Sequence, residues 1–509
     1  MNENRIRRIA ILGGGTAGWM TAAALSKVLG EQIPIGLVES DEIGTIGVGE
    51  ATIPTIHWFN QLVGVNPGEF MRETRATFKL GIEFENWARP GHVYLHPFGR
   101  FGDSNDSLPF HHRWIRGRLE GLNDGFEDYS LTTLAARAGR FAFPTSDPGS
   151  PLSTLGYAFH FDASLYAQYM RKHAQARGVR RSEGKVVKID QHPETGFVTC
   201  LHTDKGDRLE ADLFVDCSGL RGVLIEGVLR TGFDDWSNWL PCDRALAVPS
   251  ERMVPPVPYT RSEARAAGWQ WRIPLQHRTG NGYVYCSQFI SDAEAASALL
   301  NNLNGKPLAD PRPIRFTAGR RKKSWNKNVV AVGLAGGFLE PLESTSIHLI
   351  QSAIAKLLSL FPTRACDPYT VEQFNRLMSQ EFETVRDFLA LHYHSTEGRD
   401  EPLWAYCRNM PLPETLIYRE EHYRRTGRIV LAPEELFKEA SWFAVLTGQG
   451  HMPTDYNPLL DSVSSKDNFD TLRRIKEILR ATCQRLPSHE SVIQQLIAAP
   501  QERGVSSTT

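Results

Sequence analysis

Residues 8–19 read RIAILGGGTAGW, and this stretch decides how the N-terminal part of the chain folds. A short apolar run, Ile9 to Leu12, breaks into Gly13, Gly15 and Gly18 at GxGxxG spacing, and Ala17 to Leu29 then carries a helical pattern. The sequence therefore predicts a strand, a tight turn and a helix N-terminus. Gly13 permits the turn, Gly15 lets the backbone approach a pyrophosphate, Gly18 allows close packing of helix on strand, and the free N–H groups of the first turn face an anion. A second apolar run, Ile35 to Val38, ends in Glu39, at about the twenty-residue spacing where a carboxylate accepts hydrogen bonds from an adenosine ribose. A bare glycine motif would fit an ordinary loop equally well; strand, turn, helix and acid together predict a dinucleotide site.

The rest of the chain narrows the partner. Lys and Arg total 57 against 58 Asp and Glu in 509 residues, so no net field argues for nucleic acid or an anionic membrane, and a small molecule is the expected partner. The length allows two or more domains with substantial cores. No run approaches the roughly 18 apolar residues of a membrane span, and the N-terminus leads into the first strand without a signal-peptide core, which predicts a cytoplasmic protein. Seven scattered cysteines without a CxxC pair predict reduced, mostly buried thiols and no metal site.

After Glu39 a glycine-rich strap, Ile43 to Pro54, offers backbone able to lie across a cofactor through Gly47 and Gly49. Phe78, Leu80, Ile82 and Phe84 alternate with polar or small residues, predicting one strand at period two with Lys79 on its polar side. Residues 94–99, YLHPFG, bring His96 and Phe98 together on a proline-stiffened loop. Residues 104–153 read as long loops with short helices, Ala163 to Gly178 as a helix, and Gly184–Ile189, Gly196–His202 and Leu209–Cys217 as strands. Residues 240–316 predict a second, more antiparallel sheet, with Gly282–Ile290 as its clearest strand. Inside it, residues 268–275 read GWQWRIPL and place Trp269 and Trp271 on one strand face. Val329–Val332 is a third strand ending in glycines, followed by a helix capped by Ser344 or Thr345, whose N–H groups could hold an anion. Helical spacing then dominates to a last helix near Ser488–Ala499. The division expected is residues 1–361 as a cofactor-binding module with an inserted antiparallel sheet, and 362–509 as a mostly helical substrate-side region.

The glycine turn, the strand Ala211–Arg221 and the segment Val329–Gly337 together resemble the FAD-binding fold of the p-hydroxybenzoate hydroxylase type. This is an α/β class, here with an added antiparallel sheet and a mostly helical C-terminal region. Three further stretches resemble flavin-dependent halogenases of the tryptophan-halogenase type: GWxWxIP at Gly268–Pro274, the Phe-Lys-Leu-Gly strand holding Lys79, and the start of FxxPxxSxG at Phe338, Pro341 and Ser344.

The resemblance implies a two-component enzyme in which FADH2 from a separate flavin reductase reacts with oxygen and a halide, chloride or bromide, to give hypohalous acid. Gly13, Gly15, Thr16, Ala17, Glu39, Ala51, Val187, Leu334 and Ile347 would contact FAD. Thr345 and Ser346 would hold the halide, and Ser346, where many relatives carry Gly, would resize that site toward bromide. Trp269, Trp271, Ile273 and Pro274 would wall a tunnel from flavin to substrate. Lys79 would hold, or be halogenated by, the hypohalous acid, and Glu343 would polarise it or take the ring proton. His96 and Phe98, with Trp442, would sandwich a flat electron-rich ring. The family's tryptophan head-group ligands are not recognisable in Glu435–Phe443, so the substrate expected is indole or a substituted indole. The alternatives are a tryptophan halogenase proper, a flavin-dependent aromatic hydroxylase and a non-catalytic FAD-binding protein; a homodimer is left open.

Overall fold

A computed structural model describes residues 4–42, 49–102 and 108–498. The strand Ile9–Leu12 sits inside a six-stranded sheet, flanked in parallel by Leu213–Asp216 and Ile35–Glu39, with Val329–Ala331 and Arg180–Glu183 beyond them. Only the short edge strand Trp325–Asn326 runs antiparallel. Central parallel strands are covered on both faces, which is why they read as unbroken apolar runs. Ile9, Ala10, Ile11 and Leu12 are all buried. Helix Thr16–Leu29 leaves the carboxyl end of the first strand through the glycine turn.

A seven-stranded sheet forms the second layer, in the order Arg312–Arg315, Arg244–Ser250, Thr279–Tyr285, Gly268–Pro274, Thr260–Arg265, Gly81–Glu85, Val93–Pro97. It is antiparallel except where Thr260–Arg265 pairs with Gly81–Glu85. A three-stranded sheet of Gly49–Ala51, Ala158–Asp162 and Thr77–Lys79 accompanies these two. Helices follow: Ser346–Ser359, the 27-residue Pro368–His394, and shorter helices ending in His489–Ala498. One apolar core runs through both halves, from Ile6 to Ile493. All seven cysteines are buried and free. Among the described residues no helix is long and apolar enough to cross a membrane.

The structure departs from the sequence reading at several points. Phe78–Phe84 is two strands in two sheets: Thr77–Lys79 ends, Leu80 N–H donates to Pro258, and Gly81–Glu85 starts elsewhere. Both faces are covered, so Lys79 is fully buried where an alternating pattern suggested a solvated side. The segment Leu209–Cys217 likewise splits, into Arg208–Glu210 on an outer three-stranded sheet and Leu213–Asp216 in the parallel sheet. Gly282–Ile290 is shifted: the strand is Thr279–Tyr285. Ser344 and Thr345 do not cap the helix from Ser346 with their side chains. Part of the strap, residues 43–48, and the C-terminal tail lie outside the described residues.

Gly282 shows how tightly the second sheet is filled: a Cβ there would stand 2.1 Å from the Trp271 ring and 2.5 Å from the Leu246 carbonyl oxygen. Gly282→Ala is expected to cost about 1–3 kcal/mol in urea unfolding, because this core has no room for an added methyl.

Candidate active site

Lys79 is the last residue of its strand, anchored by Thr77, whose hydroxyl donates to the Pro274 carbonyl at 2.7 Å. Its Nζ donates to Ser344 Oγ at 2.7 Å and to the Thr52 carbonyl at 3.1 Å, and stands 4.8 Å from the Phe98 ring centroid. Burial lowers the Lys79 amine to about 7, with the Glu343 charge opposing the shift. Ser344 adopts φ +59°, a left-handed conformation unusual for serine, and this turns its hydroxyl to the amine.

Glu343 precedes it, also fully buried. His96 Nδ1 lies 2.9 and 3.0 Å from the two carboxylate oxygens, and His392 Nε2 lies 2.9 Å from Oε1. His392 Nδ1 donates to the Phe388 carbonyl at 2.8 Å. Burial alone would raise the Glu343 carboxyl, yet the His96 and His392 imidazoles outweigh it and hold the group at about 2. The site thus pairs an ionised carboxylate, at the end of the short turn Pro341–Glu343, with an amine near 7 bonded to the next residue, Ser344.

Beyond that turn, helix Ser346–Ser359 starts at Thr345, whose Oγ1 is buried without a partner among the described residues. Free N–H groups and the helix dipole make this start electropositive. Trp269 and Trp271 lie side by side, ring centroids 6.0 Å apart, both buried, and Ile273 comes within 3.5 Å of where a Cβ on Gly49 would stand. The strap and the GWxWxIP strand therefore touch. His96 meets Phe98, Phe388 and Phe437 at ring distances of 6.3, 5.8 and 6.3 Å. Phe388 and Phe437 are stacked at 3.9 Å. Trp442 is set back behind Phe388, 4.9 Å away and edge-on, with Arg419 over its ring. Its Nε1 donates to Glu435, whose two oxygens are otherwise taken by the Arg419 guanidinium and the Ala432 N–H.

The glycine turn leaves no room for side chains. Gly13 has φ +111°, and a Cβ there would stand 2.3 Å from the Cys217 carbonyl oxygen; one on Gly14 would overlap the Glu39 carboxylate. Gly13, Gly15, Thr16, Ala17 and Leu334 are half-buried, so this turn is reachable from solvent. Gly333 packs against Ala17 closely enough that a Cβ would be 2.9 Å away, which joins the first and third glycine segments. Glu39 is ion-paired with Arg181 and takes the Trp19 indole N–H at 3.4 Å. Ala51 and Ile347 are buried. Val187, 65% exposed, lies on the strand Val186–Gln191 of the outer three-stranded sheet.

The family model for tryptophan halogenases matches residues 8–465. The chain belongs to the tryptophan halogenase family. Tryptophan 6-halogenase ThaL of Streptomyces albogriseolus is 36% identical over 90% of this chain and 92% of its own length. A flavin-dependent halogenase from Xanthomonas campestris is 45% identical, covers 97% of this chain and 99% of its own, and superposes with a TM-score of 0.93. BrvH, a flavin-dependent halogenase from a Brevundimonas species, is 43% identical with the same TM-score, over 97% of this chain and all of its own.

In this tryptophan halogenase family member the residues without an obvious sequence signal are His392, Phe388, Phe437 and Glu340, while Ser344, expected as a helix cap and a motif residue, turns out to hold the Lys79 amine. His392 had one faint mark, a histidine four residues after Phe388 on the apolar face of a long helix. Lys79 also leaves a thermodynamic trace. Its folded-state amine titrates near 7 instead of 10.5, so between those values the unfolded chain binds the extra proton and stability rises with pH. Urea unfolding of the wild type is expected to gain about 1.4 kcal/mol per pH unit relative to Lys79→Met across the alkaline side of that window.

Proposed function

We propose that this protein, a flavin-dependent halogenase by family, halogenates indole or a substituted indole at a site made by Lys79 and Glu343, using reduced FAD delivered by a separate flavin reductase. The observation that carries the reading is the buried Lys79 amine bonded to Ser344 beside an ionised Glu343. We infer the p-hydroxybenzoate hydroxylase type of FAD-binding fold, within residues 1–361, with residues 362–509 covering the substrate side. The half-buried, side-chain-free turn at Gly13 and Gly15, just before the helix start at Thr16, supports a dinucleotide's close approach. Gly15, Thr16, Ala17, Glu39, Ala51, Val187, Leu334 and Ile347 are the proposed contacts. Bound reduced flavin supplies, with oxygen, the oxidising equivalent that converts halide to hypohalous acid.

Thr345 and Ser346 hold the halide at the helix start, where the dipole favours an anion and the Thr345 hydroxyl still needs a partner. Trp269, Trp271, Ile273 and Pro274 form the wall past which hypohalous acid travels. At Lys79 an amine near 7 keeps a substantial neutral fraction, so its lone pair takes the halogen from hypohalous acid and water leaves. The aromatic ring then attacks that halogen, and the ring proton passes to Glu343, which two imidazoles keep ionised and aimed.

His96, Phe98, Phe388 and Phe437 provide aromatic surface for a flat ring, with Trp442 behind them. Glu435 has both oxygens occupied and offers nothing to an amino-acid ammonium, which favours indole over free tryptophan. Ser346 adds a hydroxyl at the halide site and favours bromide.

Incubation with a flavin reductase, FAD, and equal chloride and bromide is expected to give mainly brominated indole by mass spectrometry. Tight, saturable binding of tryptophan with halogenation at a single position would reverse the substrate assignment, and mostly chlorinated product would reverse the halide assignment. Lys79→Met and Glu343→Gln are each expected to lower product formation about 100-fold or more while leaving FAD binding intact, the range for a lost proton-transfer or nucleophilic group. NADPH oxidation without an added reductase would point instead to a hydroxylase.

A further inference from the structure

Glu340 stands three residues before Glu343, and no step of the proposed reaction uses it. Its side chain is fully buried. Oε2 accepts two hydrogen bonds, from Trp269 Nε1 at 2.9 Å and from Tyr393 Oη at 2.6 Å, whereas Oε1 is buried with no partner among the described residues. Burial raises the carboxyl to about 7 against the pull of those two donors. A half-satisfied buried carboxyl is a poor source of stability, so its place here calls for another reason.

The geometry supplies one. Two consecutive residues of the helix Pro368–His394 reach two carboxyls of one short turn: His392 lies against Glu343, and Tyr393 donates to Glu340. Trp269, on the central GWxWxIP strand, joins the same Glu340 oxygen. The indole has Trp271 at 6.0 Å and Trp87 at 6.4 Å as ring neighbours, contacts that fill space without choosing which edge carries the N–H. The Glu340 bond makes that choice, since a flipped ring would leave a buried N–H unpaired.

We propose that Glu340, braced by Tyr393, is a positioning residue that fixes the Trp269 indole in the orientation closing the wall between flavin and substrate. This rests on the reading of the site given above. It ties the wall to the turn carrying Glu343 and Ser344, so oxidant containment and halogen delivery share one anchor.

The test compares Glu340→Gln, which keeps an oxygen for the indole, with Glu340→Leu, which does not; Glu340→Met replaces the latter should it fail to fold. In flavin-free protein the Trp269 indole N–H resonance, assigned by its absence in Trp269→Phe, is expected to exchange slowly in wild type and Glu340→Gln. It should exchange about tenfold faster in the apolar variants, as befits loss of one hydrogen bond. In turnover with a reductase, the share of hypohalous acid captured by monochlorodimedone in bulk should rise in the apolar variants, with the flavin oxidation rate unchanged. An apolar variant that keeps both the slow exchange and the wild-type capture overturns the proposal, and so does Glu340→Gln leaking as much as Glu340→Leu. Wild-type protein yielding neither halogenated product nor captured oxidant would instead refute the proposed function, and the exchange measurement would still decide the role of Glu340.

Discussion

Everything in the inner site depends on a lysine amine taken wholly out of water. Moving its titration from 10.5 to about 7 corresponds to roughly 5 kcal/mol against the charged form, more than its hydrogen bonds to a hydroxyl and a carbonyl recover. The surroundings are arranged to tolerate this. Ser344 takes a left-handed backbone conformation to meet the amine, Thr52 brings a carbonyl from the strap, and Phe98 offers its ring face. Such an amine is a far better nucleophile near neutral pH than a solvated lysine, because its lone pair is free for a substantial part of the time.

Glu343 shows the opposite solution to the same burial. Desolvation would neutralise it, but His96 from a strand and His392 from a helix converge on its two oxygens and keep it charged. Lys79, at the end of a strand, and Glu343, on the turn beside it, are thus driven in different directions by their surroundings. In the proposed reaction that separation gives one electron-pair donor and one proton acceptor, as an electrophilic substitution on an aromatic ring requires.

The second carboxyl on this stretch, Glu340, has neither solution. It stays near neutrality with one oxygen unpaired and the other shared between an indole and a phenol. Two buried acids, one in this turn and one just before it, would be costly in an ordinary core. Here each is matched to distinct neighbours: two histidines at Glu343, and the Trp269 indole and Tyr393 phenol at Glu340.

Much of this was legible in the amino-acid order. The glycine spacing after Ile9–Leu12, the acid at Glu39, the GWxWxIP run and the Phe-Lys-Leu-Gly stretch are local patterns, and local patterns depend only on neighbours along the chain. They pointed to the parallel sheet and its glycine turn, and, through the family resemblance that the motifs carry, to Lys79 and Glu343 as residues to watch. What they could not supply was company. Period-two alternation in Phe78–Phe84 implied one wet face, whereas the three-stranded sheet and the C-terminal helices cover both faces and make Lys79 a buried amine. His392 lies 49 positions beyond Glu343 and Tyr393 lies 53 beyond Glu340, so no spacing rule links them. Their meeting is set by how a long helix docks on a short turn, and the proton affinities of the site are set by that docking, because burial and charge act through space and not along the chain.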